Sequence, residues 1–275
     1  MIALHARRSA ASVAAWRAAH PARPLVLVLT GTDLYRDIDV DAAAQRSLHA
    51  ADVLVVLNER GPLQLPPALR ARCHVVLQSC PARRPLAKPA RHLRALMVGH
   101  LRDEKDPLTY LRAAARLAAR TDIRLDHVGA ALDPALGAAA AALAARQPRY
   151  RWLGALPHGA VRRRIQQAHV LVHASRIEGG AHVVIEALRS GTPVIASAID
   201  GNLGLLGADW PAVFAPGDDA ALAALLERAR DDADMLPALQ AHAAARAPLF
   251  APAAEAAALR RVVDGLLTPP DGARP

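Results

Sequence analysis

The chain has 275 residues, a formal charge of +9, 53% hydrophobic residues and only 3% aromatics. At roughly 100–200 residues per domain this is one large domain or two, with too much apolar content for a disordered chain. The positive balance favours an anionic partner, but no basic block with interleaved aromatics and no zinc-finger, RRM or KH pattern is present, so a phosphate-bearing small molecule is expected and nucleic acid is not.

Apolar runs of strand length alternate with Ala-rich stretches. Ile2–Leu4 reads as a strand, Ser9 to Ala19 as a helix, and the apolar run Leu25–Leu29 (LVLVL) as a buried parallel strand. A helix at Ala42–Ala50 and strands at Val53–Leu57 and Val75–Gln78 follow, a βαβα rhythm that predicts a doubly wound sheet. Pro81 to Pro89 (PARRPLAKP) has three prolines and three basic residues in nine positions and reads as a linker.

A second rhythm starts at Leu93–Val98. It continues as helix Pro107–Arg120, strand Ile123–Val128, helix Pro134–Arg146, strand Tyr150–Leu153, helix Gly159–Ala168, strand Val170–Ala174, helix Ala181–Ser190 and strand Pro193–Ala198. Helices are predicted at Ala220–Arg230 and Pro252–Leu267, and the tail Thr268–Pro275 is predicted to fray. The expected fold class is α/β. A partial Rossmann-like domain over 1–85 faces, across a cleft, a complete one over 90–250, and a helix over 251–267 packs back towards the first. Only about three full strands precede the linker, so the N-terminal domain is expected to be incomplete, with one or two strands upstream of Met1 missing.

Cys73 and Cys80 are not spaced as CxxC and have no companion His cluster, which argues against a disulfide framework or zinc site and for a reducing cytoplasm. No run of about 18 apolar residues is present, so no membrane span is expected, and the apolar start is too short for a signal peptide. His158, His169, His173 and His182 are scattered, with no carboxylate at ligand spacing, and no metal is expected.

The richest constellation is Glu178-Gly-Gly-Ala-His-Val-Val-Ile-Glu186. Glu178 follows a strand, where it can accept hydrogen bonds from sugar hydroxyls. Gly179 and Gly180 let the backbone approach a ligand closely. A helix starting near Ala181 offers free N–H groups, and Glu186 within it can accept a bidentate pair from a ribose diol. Either glutamate alone reads as an ordinary surface residue; together with the Gly pair and Gly191-Thr-Pro-Val-Ile-Ala-Ser197 they read as a site. The second constellation is Val98-Gly-His-Leu-Arg-Asp-Glu-Lys105-Asp-Pro, at a strand-to-helix turn. There Lys105 and Arg102 can present charge to a diphosphate, although Lys105 taken alone also fits a solvated loop.

G-x-L-x-x-E-K at Gly99–Lys105, then E-x7-E-A, then G-x-P-V-x-A-S, resembles the retaining family 4 glycosyltransferases of the GT-B fold over roughly residues 93–230. The resemblance implies that Lys105 binds the donor diphosphate, Glu186 the ribose and Glu178 the donor sugar, with Gly154 near the base. It also implies no metal or other cofactor. Two positions depart from the pattern. His100 stands where the family usually has Arg, so Arg102 or a protonated His100 is expected to take that phosphate contact. Thr30 stands where the family often has a His facing the reacting sugar.

The strings IALHARRSA, LTGTDLYRDI, VGHLRDEKDP, RYRWLGALPH, SRIEGGAHVVIEA and GNLGLLG further resemble the selenosugar synthases of selenoneine biosynthesis, over residues 2–250. Members of that family have a further stretch upstream of IALHARR. The resemblance implies transfer from UDP-glucose or UDP-N-acetylglucosamine to selenophosphate, a soft anionic nucleophile that needs little base catalysis, which makes Thr30 tolerable. An acceptor site is then expected at two strand ends: His5, Arg7 and Arg8 ahead of a helix, and Thr30, Gly31, Thr32 and Asp33. The arginines also fit a solvated helix start, and His5 a core histidine. Two alternatives remain: a family 4 enzyme with a hydroxyl or thiol acceptor, and a sugar-nucleotide-binding protein without turnover.

Overall fold

A computed structural model describes residues 1–267; the tail predicted to fray, 268–275, lies outside the described residues. The fold is α/β, with two parallel sheets. The first has four strands in sequential order, β1 (Ile2–Leu4), β2 (Val26–Leu29), β3 (Val53–Val56) and β4 (Cys73–Val75). Strand periodicity explains the uninterrupted apolar runs. Leu27, Leu29, Leu54 and Val56 point to a core shared with Val13, Ala44 and Leu48 of the helices Ala10–Ala19 and Ala42–Ala50. Val26 and Val55 point the other way, onto Val262 of the Pro252–Leu267 helix. Both faces are covered, so both residue sets are apolar. The last strand lies earlier than Val75–Gln78, because beyond Val76, whose N–H still reaches the Val56 carbonyl, the chain turns into the crossing segment.

The second sheet has six strands. They are β5 (Leu93–Val98), β6 (Ile123–Val128), β7 (Tyr150–Trp152), β8 (Val170–His173), β9 (Val194–Ser197) and β10 (Val213–Phe214). Their order across the sheet is β10-β9-β8-β5-β6-β7. The winding direction reverses between β5 and β8, and in open α/β sheets the crevice at the carboxyl ends of such a pair is where ligands bind. The chain leaves β5 into Gly99–Lys105 and β8 into Ala174–Glu178, so both sequence constellations meet at this point. Among the described residues no helix is long and apolar enough to cross a membrane.

Several elements go beyond the sequence expectation, β10 and the following three among them. The stretch after β2 folds into a π-helical turn, Asp33–Asp37. A helix, Asp200–Leu206, forms in spite of two glycines, and another spans Met235–Arg246. Glycine costs about 1 kcal/mol in a helix. Gly201 and Gly204 stand there because a Cβ at either would overlap the Glu178 carbonyl or the Asn58 side chain.

The turn after β2 is organised by Asp33, which is fully buried. Its carboxylate accepts from the backbone N–H of Ala6, Thr30 and Gly31, each at 2.9 Å, and from the Thr30 hydroxyl at 3.2 Å. It therefore ties the ends of β1 and β2 together. Asp33→Ala strands three buried N–H groups at roughly 1–3 kcal/mol each, so a loss of several kcal/mol is expected in urea unfolding.

Candidate functional site

At the switch point the Lys105 ammonium is ion-paired with the Glu178 carboxylate. The same carboxylate oxygen, Glu178 Oε1, also faces His173, the last residue of β8, whose Nε2 lies 3.4 Å away. The His173 ring is fixed from behind. Asn202 Nδ2 donates to the Ser197 carbonyl at 3.0 Å, which can only accept. The amide oxygen of Asn202 therefore faces His173 Nδ1 at 2.9 Å, and Nδ1 carries the proton. Ser175, Ser197 and Asn202 are all buried, so this scaffold is dry and rigid.

Burial alone would push the Glu178 carboxyl up, but donation and charge from His173, protonated on Nε2 as well as Nδ1, together with the Lys105 ammonium outweigh it and hold it down at about 2. A folded-state value below the ordinary 4.5 contributes stability that is present above pH 4.5 and lost as pH falls towards 2. The stability gap between the wild type and Glu178→Gln should therefore shrink between about pH 5 and about pH 2.5 in denaturant titrations. A gap that stays constant would contradict this charge assignment.

Two cavities flank the pair. One, of about 360 Å³, is lined by Gly99, His100, Lys105, Ala155, His158, His182 and Glu186. The other, of about 280 Å³, is lined by Tyr35, Gln64, Arg176, Glu178, Asp200 and Gly201. Lys105 belongs to the first wall and Glu178 to the second, so the pair stands between the two spaces.

Glu186 is buried within the His182–Leu188 helix. Its Oε1 meets His158 Nε2 at 2.5 Å, His182 Nδ1 at 3.5 Å and the buried Arg162 guanidinium at 3.6 Å. Burial would raise its carboxyl, but hydrogen bonds from His182 and His158 and the charge of Arg162 outweigh it and hold it ionised. The helix starts at His182, with Ala181 as its N-cap. Gly154 adopts a left-handed turn at φ 65° after β7, and its carbonyl accepts from Gly129, which places Ala155 and Leu156 at the cavity wall.

Of the two basic candidates after β5, His100 lines the cavity, its Nδ1 accepting from Ala130 N–H at 3.0 Å. Arg102 does not line it and faces Glu104 at 3.9 Å. The intervening Leu101 is fully buried and anchors the turn between them.

Gly179 and Gly180 do permit a close backbone approach, but what approaches is the N-terminal half of the chain. A Cβ at Gly179 would overlap the Thr30 carbonyl oxygen, and one at Gly180 would lie 2.7 Å from the Gln78 side-chain oxygen and 2.9 Å from Leu57 Cβ. Gly31, at φ 145°, sits on the same contact: its Cβ would lie 3.0 Å from Gly179 N. Asn58 seals it, donating to the Gly179 carbonyl at 2.7 Å and to the Tyr35 hydroxyl at 2.9 Å. Arg60 and Gln64 hold Asp200 at 2.6 and 2.7 Å.

The expected acceptor residues thus divide. Thr30 and Gly31 touch the Glu178–Gly179 backbone. His5, at φ 71°, is buried and bonds the Thr32 hydroxyl at 3.1 Å. Asp33 is consumed by the turn. Arg7 pairs with Asp37 at 2.9 Å, and Arg7 and Arg8 line a separate groove between the helices Ala10–Ala19 and Ala42–Ala50. Neither arginine lines a cavity beside Glu178. The cation that does is Arg176, which also faces Asp106 at 3.3 Å.

Sequence reasoning missed His173, Asn202, His158, Arg162, Asn58 and Arg176 as members of this site. His173 carried a signal, as the polar residue that closes the apolar run of its strand; Arg176, His158 and Asn202 lie within quoted strings without standing out there, and Asn58 and Arg162 come from segments that carried no signal.

Residues 81–246 match the model of a family described as glycosyl transferases group 1. No curated protein sequence matches the chain. Among solved structures, Anabaena Alr3699/HepE aligns with a TM-score of 0.75 at 16% identity, over 95% of this chain and 76% of that one. The sucrose-phosphate synthase of Thermosynechococcus elongatus aligns with a TM-score of 0.77 at 19% identity, over 97% and 73%. S. aureus TarM aligns with a TM-score of 0.71 at 12% identity, over 89% of this chain but only 51% of its own. These likenesses show the two-sheet GT-B fold.

Proposed function

The chain belongs to the group 1 glycosyl transferases, and on that premise we propose that it transfers a sugar from a UDP-sugar, UDP-glucose or UDP-N-acetylglucosamine, to selenophosphate, giving a 1-selenosugar for selenoneine biosynthesis. The observation that carries the donor half is the Lys105–Glu178 pair standing between two cavities, with ionised Glu186 in the wall of one. Glu186 accepts the ribose hydroxyls, its charge balanced by Arg162 and His158. The diphosphate enters beside His100 and draws Lys105 away from Glu178. Glu178, still ionised and held by His173, then accepts from a sugar hydroxyl. Lys105 neutralises the charge that grows on the leaving UDP, in a site largely shielded from water. Anabaena HepE has been solved with UDP and glucose, which supports this choice of donor.

The acceptor half rests on the sequence resemblance and on the chemistry of the second cavity. That wall offers Arg176 for a phosphate oxygen and Gln64 as a neutral donor, and Thr30 brings no imidazole base. A hydroxyl acceptor needs its proton removed; anionic selenium does not. The selenium lone pair forms the bond to the anomeric carbon as the carbon–oxygen bond to UDP breaks, and water then takes the phosphoryl group off selenium as phosphate. In this scheme His5 acts at a distance, through its bond to Thr32 in the Thr30–Asp33 turn, while Arg7 braces Asp37 and the Arg8 N–H donates to His5 Nδ1. Cys73 and Cys80 are free thiols, compatible with the reducing, cytoplasmic setting that such an acceptor requires.

The test is UDP release and product mass spectrometry with each UDP-sugar against selenophosphate and a panel of alcohols and thiols. Turnover and a selenium-containing sugar with selenophosphate alone are expected. Turnover confined to alcohols or thiols would move the protein to ordinary family 4 chemistry, and UDP binding without turnover would leave a binding protein.

A further inference from the structure

The amino ends of the strands in the six-stranded sheet hold a second concentration of charge that the reaction does not use. The strand register pairs Arg94 with Arg124, and Leu125 with Tyr150, which sets Arg149 beside Arg124. On the other side Ala95 pairs with Val170, and the His169 ring accepts from Arg94 N–H at 2.9 Å. His169, Arg94, Arg124 and Arg149 therefore stand at the amino ends of four adjacent strands, β8, β5, β6 and β7, in one row on one face of the sheet. Neighbouring strands lie about 4.8 Å apart, and like charges directly opposite one another destabilise a sheet.

Nothing within the described chain offsets that row. The two carboxylates nearest Arg124 on its own strand face are already taken: Asp122 by Arg120 and Arg230, at 3.0 and 2.7 Å, and Asp126 by Arg151 and Arg164, at 2.7 and 3.6 Å. His92, only 3% exposed, stands two residues before Arg94 and close to Arg124 and Arg149, and both of its ring nitrogens are buried without a hydrogen-bond partner. The Lys88 ammonium and Arg94 Nε are likewise buried and unpartnered. Burial, with Arg124, Arg94, Arg91 and Arg149 close by, lowers the pKa of His92. Unpaired donors at this density are costly to hold together.

We propose that this row is a binding site for a soluble multivalent phosphate anion, with Arg94, Arg124 and Arg149 taking its oxygens and His92 donating beside them. Three arginines at strand spacing span about 10 Å, which suits two or three linked phosphoryl groups better than one. Guanidinium forks match phosphate oxygens bidentately. The site lies at the amino ends of the strands and Lys105 beyond the carboxyl end of β5, so its occupancy is independent of the donor.

The experiment is calorimetric titration of the whole chain with inorganic tripolyphosphate at low salt, with and without saturating UDP. Saturable binding of one tripolyphosphate that persists in the presence of UDP is expected. Arg124→Glu/Arg149→Glu should weaken it by roughly tenfold or more, whereas Arg163→Glu, an exposed charge reversal elsewhere, should leave it unchanged. His92→Ala gives a second handle that leaves the arginine row intact, and it too should weaken binding. Retained UDP binding by each variant shows that it is folded. Competition by UDP, or equal loss in the Arg163 control, would overturn the proposal. So would absence of saturable binding, or binding confined to phosphatidylglycerol-containing vesicles.

Discussion

Lys105→Met is expected to lower kcat/KM for the donor by roughly 10²–10³-fold, with most of the loss in kcat. The reason is positional. In the ligand-free protein Lys105 is spent on Glu178, and neither partner is exposed enough for water to replace the other well. When the diphosphate arrives, the lysine exchanges a carboxylate for a phosphate whose negative charge increases as the bond to the sugar breaks. That interaction strengthens towards the transition state, so its removal costs rate more than binding. Glu178 keeps its contact with His173 in the variant, so the melting temperature should fall by only a few degrees. Single-turnover kinetics with UDP-glucose or UDP-N-acetylglucosamine separate the two effects. A variant with unchanged kcat and a raised KM would mean that Lys105 only holds the ground state.

Gly179→Ala should abolish detectable turnover while leaving both sheets folded. The Cβ would overlap the Thr30 carbonyl oxygen, which is backbone and tied down through the Asp33 turn, so neither side can yield cheaply. The halves must separate there. Separation breaks the Asn58 bond to the Gly179 carbonyl and pulls Arg60 and Gln64 from Asp200. It also opens the space beside Glu178 to water, which weakens every charge interaction in it. Far-ultraviolet circular dichroism should be unchanged, and hydrogen exchange should rise at Thr30–Gly31 and Gly179–Gly180. Activity within tenfold of wild type would show that the closed contact is dispensable.

The fold was legible in the sequence because parallel strands buried on both faces read as short, wholly apolar runs, and LVLVL and VLVVL are such runs. The donor side was legible for a related reason. Lys105 and Glu178 lie in the turns that follow such runs, Glu186 lies in the helix that the second turn opens, and the topology brings strand ends together. The other half of the site was not legible. Glycines at 179 and 180 signal a close approach without saying what approaches; here it is the chain's own backbone at Thr30 and Leu57. Arg7 and Arg8 look like an anion site at a strand end, but helix geometry turns them into a groove away from Glu178, and the cation beside it, Arg176, precedes the motif by two positions. The Asp200–Leu206 helix was masked by the glycines that let it dock.

The most direct test is a crystal structure of the protein with UDP. The account predicts the ribose hydroxyls on Glu186, the diphosphate on Lys105 beside His100, and the Lys105–Glu178 pair broken with Glu178 still on His173. UDP bound elsewhere, or bound with Lys105 and Glu178 still paired and Glu186 untouched, would contradict it.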